Sequence, residues 1–216
     1  MSKLYIALIA DAVRSRALPA VRRARLQAEL RAALDELNGR YRTVLAARFG
    51  ITQGDELQCL LTSKKPVWDI VHAIRYKFSD TDWVVGCGRG PVTTSLGAGK
   101  LAAPEVDGPC FHEARAAVDA AKRERSLLAF RGFGAAEPAL NAFASYYAAL
   151  YWSWTRHQRA AAAYWRYGRP VEAGLQLGVR LKVVPSAISH LRRRMAWPLV
   201  EQGDKMFRSL LEASTP

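Results

Sequence analysis

Thr43-Val-Leu-Ala-Ala-Arg-Phe-Gly-Ile-Thr-Gln-Gly-Asp-Glu-Leu-Gln-Cys-Leu-Leu61 holds two short apolar runs joined by a polar turn. Residues 43–49 and 57–61 read as strands, and 51–56 as a hairpin tip with Gly54 at the bend. Upstream, Leu26, Leu30, Ala33, Leu34, Leu37 and Tyr41 recur at spacings of three and four, which predicts an amphipathic helix over about 20–41. Pro19 stands near its start, where a fixed φ is welcome. Before that helix, residues 4–9 are continuously apolar, the pattern of a buried strand. Asp11 and Arg14 interrupt this run too early for a signal segment. Downstream, Val67, Ile70, Val71, Ile74 and Phe78 form a second helical stripe, and residues 83–87 a fourth strand. Gly86, Gly88 and Gly90 mark a backbone that bends or is closely approached. The order is β-α-β-β-α-β, the ferredoxin-like or palm topology within the α+β class. A helix over about 110–124 and a short strand over 127–130 complete this part.

Residues 131–138 are rich in turn formers, and beyond them the pattern is helical. The expected division is a palm-like domain over 1–133 and an all-α domain over 134–216. Thr155 and Gln158 form a capping box that starts a helix at Arg156. Tyr146, Tyr147, Tyr151, Trp152, Trp154, Tyr164, Trp165 and Tyr167 read as a helical core or a homodimer surface.

The 216 residues carry a net charge of +13. Residues 151–216 hold eleven Lys and Arg against four Asp and Glu, a net +7. Such a balance points to polyanionic partners, DNA first among them. No apolar run approaches the length of a membrane span, so no membrane partner is expected. Cys59, Cys87 and Cys110 are odd in number and widely spaced, which fits reduced thiols in a cytoplasmic protein.

Two acidic places stand out. Asp11 follows the first strand, and Asp55 with Glu56 sits on the hairpin. In a palm fold the strand ends bring Asp11 and Asp55 to one site, where carboxylates on rigid strands suit Mg²⁺ bound with phosphates. The alternative is a loop cap and a decorated hairpin. Arg14, Ser15 and Arg16 follow the first strand and, with Gly54, are candidates for holding a nucleotide's phosphates.

Tyr5-Ile-Ala-Leu-Ile-Ala-Asp11 with Ser15-Arg16, then Ile51-Thr-Gln-Gly-Asp-Glu-Leu-Gln58, then Asp107-Gly-Pro-Cys-Phe-His-Glu-Ala-Arg115, resemble the SatD family. The resemblance implies a bacterial protein that ends in a helix-turn-helix. The front part is also similar to the palm of class III nucleotidyl cyclases and of diguanylate cyclases with their Gly-Gly-Asp-Glu-Phe hairpin. Here the hairpin reads Gln53-Gly54-Asp55-Glu56-Leu57. On that likeness Asp11 and Asp55 match the metal-binding aspartates, and Arg115 matches the transition-state arginine. Phe111 stands where those cyclases carry Asn, and Ile51 where they carry the base-selecting Lys. The likeness therefore implies nucleotide binding through metal and phosphates, without the usual route to cyclisation.

Ala173-Gly-Leu-Gln-Leu-Gly178-Val179 and Pro185-Ser-Ala-Ile-Ser-His-Leu191-Arg-Arg-Arg194 read as helix-turn-helix with a lengthened turn. Ser186, Ser189, His190 and Arg193 would face the major groove, while Arg180, Lys182, Arg192 and Arg194 would meet phosphates. Three readings follow. The first is a DNA-binding regulator whose palm senses a nucleotide with Mg²⁺. The second is a Mg²⁺-dependent nucleotidyl cyclase or nucleotidyltransferase with a basic appendage. The third is a helical interaction protein with a vestigial acidic pair.

Overall fold

A computed structural model describes residues 3–52, 55–78, 81–97, 101–167 and 185–213. The chain is a mixed α+β protein. Its strands are β1 Tyr5–Ala12, β2 Leu45–Ile51, β3 Glu56–Leu61, β4 Trp83–Gly90 and β5 Leu128–Arg131. The helices among the described residues are α1 Ala20–Tyr41, α2 Val67–Lys77, α3 Pro109–Arg123, α4 Glu137–Ser153, α5 Arg156–Tyr167, α6 Pro185–Arg194 and α7 Trp197–Ala213.

One sheet runs in the order β2-β3-β1-β4-β5. β1 is antiparallel to both β3 and β4, and β2 is antiparallel to β3. β5 lies parallel to β4, with α3 as the crossover that a parallel pair requires. β1 is central and covered on both faces, which is why its sequence is apolar from Tyr5 to Ala10. Side chains alternate across the sheet. Ile6, Leu8 and Ala10 enter the main core, whereas Ala7 and Ile9 enter a smaller core with Cys110, Ala114 and Val118 of α3. The next position in the second series is Asp11.

The glycines of β4 explain how α3 lies on the sheet. A Cβ on Gly86 or Gly88 would collide with the α3 backbone at Ala114. The helix therefore rests on the strand backbone to backbone, a closeness that any side chain would forbid.

Both edges of the sheet are pinned by an asparagine from a helix. At the β2 edge, Phe49 N–H donates to Asn38 Oδ1 at 2.7 Å, and Asn38 Nδ2 donates to the Phe49 carbonyl at 3.2 Å. At the β5 edge, Phe130 N–H donates to Asn141 Oδ1 at 2.8 Å, and Asn141 Nδ2 returns a bond to the Phe130 carbonyl at 3.1 Å. Each side-chain amide satisfies both backbone groups of one edge-strand residue.

The turn-rich stretch at 131–138 reverses the chain, with Gly132 and Gly134 at positive φ (78° and 59°). It lays α4 back on β5. One buried cluster then joins Leu8 and Trp68 to Leu140, Tyr147, Trp197 and Phe207, so the core runs across the boundary expected at 133/134. The Phe207 ring sits 4.5 Å from that of Trp68 and 4.6 Å from that of Phe143. No described helix is long and apolar enough to cross a membrane.

Candidate functional site

The strand alternation that buries Ala7 and Ile9 carries Asp11 onto the α3 face, just where α3 ends and its cover stops. Asp11 is the direct partner of Glu56 in the β1–β3 ladder, so both side chains emerge on that face. A cleft of about 1380 Å³ opens there. It is lined by Asp11, Asp55, Glu56, Arg14, Ser15 and Arg115, which come from three separated segments of the chain. Thr52, Gln58, Asp82, Lys122, Arg125 and Trp152 line it too.

α3 supplies two of the cations. Arg115 and Lys122 are seven residues apart, two helical turns, and so project from one side. Arg115 grips Glu56 with two bonds, Nη1 to Oε2 at 2.6 Å and Nη2 to Oε1 at 2.7 Å. Thr52 Oγ1 and Gln58 Nε2 also donate to Glu56 Oε1, at 2.8 and 2.7 Å. Burial pushes the Glu56 carboxyl up, but the bonds from Arg115, Gln58 and Thr52 outweigh it and hold the group below its usual range. The bond to Glu56 in turn raises the Arg115 guanidinium above its ordinary value. Lys122 Nζ pairs with Asp11 Oδ2 at 2.7 Å. Asp55 Oδ2 is buried and has no hydrogen-bond partner.

The loop after β1 closes one wall. Arg14 has φ 57°, ψ 24°, a left-handed conformation uncommon for a residue with a side chain. The Val13 N–H donates to the Asp82 carbonyl at 2.8 Å and ties the loop to the start of β4. Ser15 is buried against the cleft. The side chain of Arg16, and Gly54, lie outside the described residues.

The expected site residues thus fall into groups. Asp11, Asp55, Glu56, Arg14, Ser15 and Arg115 share one cleft. No group of three or more His, Cys, Asp and Glu is placed to hold a metal among the described residues. Asp11 and Glu56 are each neutralised by a cation of α3. A divalent ion would have to take them from Lys122 and Arg115, with the unpartnered Asp55 Oδ2 as its readiest ligand. Lys122 was legible in the seven-residue spacing from Arg115, but sequence reasoning passed over it. Asp82, Arg125 and Trp152 carried no local signal, because only tertiary packing brings them here.

In the basic tail, residues 168–184 lie outside the described residues, and with them Arg180, Lys182 and the first helix and turn of the expected helix-turn-helix. α6 is described. Ile188 is buried against Ala161 and Tyr164 of α5. Ser186, Ser189, His190, Arg192, Arg193 and Arg194 are all exposed. Arg192 pairs with Glu201 at 3.1 Å. The three cysteines are free and buried. Burial raises all three thiols, Cys110 to about 11, so none is poised as a thiolate.

A family model described as the SatD family matches residues 5–131, the span that contains the sheet and every wall of the cleft except Trp152. No curated protein and no solved structure matches the chain.

Proposed function

The chain belongs to the SatD family, and we propose that it is a DNA-binding regulatory protein whose cleft takes a nucleotide together with Mg²⁺. The observation that carries this reading is the make-up of the cleft. Acidic Asp11, Asp55, Glu56 and Asp82 and basic Arg14, Arg115, Lys122 and Arg125 line one open space together with Trp152. Phosphates suit the cations, a hard metal ion suits the carboxylates, and a flat base suits the indole. Strands in the order β2-β3-β1-β4 suit the palm reading of this region.

The ion pairs suggest how the two ligands help each other. A nucleotide's phosphates would draw Arg115 and Lys122 away from Glu56 and Asp11. The released carboxylates, with Asp55, would then hold Mg²⁺, which would neutralise the phosphate charge. Nucleotide and metal therefore bind cooperatively, each weakly alone. Calorimetric titration of nucleoside triphosphates with and without Mg²⁺ tests this. Asp55→Asn is expected to weaken Mg²⁺-dependent binding by at least about tenfold, or ~1.4 kcal/mol. Equal affinity in the variant, or no dependence on Mg²⁺, would sink the reading.

A second reading, a Mg²⁺-dependent nucleotidyl cyclase or transferase, draws on Arg115, which reaches into the cleft where a transition-state charge could form. Pyrophosphate release in the same titrations separates the two. Sensing predicts binding without release.

The exposed basic face of α6 supports the DNA half of the proposal. Arg193→Ala with Arg194→Ala is expected to reduce the slope of log K against log salt by about two units, one for each lost phosphate contact. An unchanged slope in fluorescence anisotropy would remove α6 from any DNA surface.

A further inference from the structure

A second, smaller cavity of about 220 Å³ lies between α2, α4 and α5, on the far side of Asp82 from the cleft. Arg75, Arg156, Arg159 and Arg166 all line it. Its room comes from α5, where Ala160, Ala162 and Ala163 turn short side chains toward it.

The cations in it are unequally satisfied. Arg166 is matched: Asp204 accepts two bonds from it, at 2.6 and 2.9 Å. Arg159 donates from Nε to the Trp154 carbonyl at 3.1 Å, while its terminal nitrogens lie 3.5 Å from Asp82 Oδ1 and 3.5 Å from the Trp152 carbonyl. Arg75 is the anomaly. It is 5% exposed, and its Nη2 donates to the Trp83 and Leu127 carbonyls at 3.1 and 3.0 Å. Its Nε and Nη1 have no hydrogen-bond partner. A guanidinium stays charged, and leaving its donors buried and unmatched is costly. His72, beside it, is also buried, with Nε2 unpartnered. Burial first, then the charges of Arg166, Arg75 and Arg208, hold that imidazole well below its ordinary value, so it is neutral and brings no further charge. Asp82 meets Arg159 at 3.5 Å and Asp204 pairs with Arg166, and neither accepts a bond from Arg75 Nε or Nη1.

We propose that this cavity is a binding site for a small oxyanion of the phosphate class, held by Arg75 and Arg159 with Arg156 at the mouth. The volume admits inorganic phosphate, pyrophosphate or a phosphorylated compound of a few carbons, and is too small for a nucleotide. Arginine's planar fork matches such an anion with paired bonds. The site is separate from the cleft, and the proposal stands whether or not the cleft takes a nucleotide.

The test is a melting and calorimetric titration of the full chain with sodium phosphate against sodium chloride at equal ionic strength. Saturable binding of phosphate, with a rise in melting temperature, is expected. Arg159→Gln should raise the Kd at least tenfold. Ala163→Leu, which fills the cavity and keeps every charge, should abolish the response. Lys122→Gln, in the cleft, should leave it intact. Equal behaviour in phosphate and chloride would overturn the proposal. So would a response that survives both cavity variants, or one that disappears in Lys122→Gln, which would place the anion in the cleft. If a nucleotide competes with phosphate and Lys122→Gln abolishes that competition, the phosphate was read from the cleft, and the proposal fails in the same way.

Discussion

Two arginine–carboxylate pairs hold this molecule in different ways. Arg166 and Asp204 join α5 to α7 with side chains only 6% and 8% exposed. Trp68 Nε1 donates to the same carboxylate at 3.1 Å, and Arg166 also bonds the Tyr147 hydroxyl. Arg115 and Glu56 join α3 to β3 with almost the same distances, yet the arginine is 44% exposed on an open cleft. Both pairs are two-bond arginine–carboxylate contacts with a buried carboxylate, and they differ most in the access of the arginine to water. The buried pair cannot exchange partners without leaving an unmatched charge in the core. The cleft pair can, because water or a phosphate can take the place of either partner. Burial, more than geometry, separates the tie from the candidate binding site.

Breaking the buried pair is the severest test of that difference. Asp204→Ala is expected to cost about 3–5 kcal/mol in denaturant unfolding, since it strands Arg166 in the core. It also removes the acceptor of the Trp68 indole. A loss below about 1 kcal/mol would mean that the two pairs do not differ in kind. Glu56→Gln should cost less at neutral pH, about 1–3 kcal/mol, because Glu56 is itself buried but its partner Arg115 is 44% exposed and can turn to water. Acid sharpens the contrast. The Glu56 carboxyl is held below its ordinary 4.5 in the folded protein. Its contribution is therefore present above about 4.5 and is lost as pH falls through the lower folded value. Melting temperature followed from pH 7 down to pH 3 should show wild type and Glu56→Gln converging at the acid end, with the gap opening as pH rises.

The comparison also shows what was legible before folding. The strands and helices stand close to where hydrophobic spacing put them. α1 begins after Pro19 and buries Leu26, Leu30, Ala33, Leu37 and Tyr41, the expected stripe. β2 starts two residues later than expected and runs on to Ile51, because Gly50 and Ile51 continue the ladder opposite Gln58 and Leu57. The division at 133/134 was drawn from the turn residues and the helical pattern beyond them. A glycine-rich turn looks the same whether the chain leaves the core or doubles back on it, and here it doubles back. The aromatic residues of α4 and α5 gave the better sign. Tyr147, Tyr151, Trp154 and Tyr164 are buried, as a core reading of that cluster implies, and most of them share the core of the sheet.

What the sequence by itself determined is local. Alternation along β1 and β3 set Asp11 and Glu56 on one face, and the spacing of α3 set Arg115 and Lys122 on one side. These follow from periods of 2 and 3.6, which involve only neighbours a few residues apart. The tertiary structure decided who meets whom. Glu56 finds Arg115 59 positions away, and Trp68 finds Asp204 136 positions away. Asp82 stands between two cavities because the first loop, α4 and α5 converge on the start of β4. Such meetings come from long-range packing of whole elements, where burial and desolvation fix the strength of each charge, and no local pattern of residues encodes them.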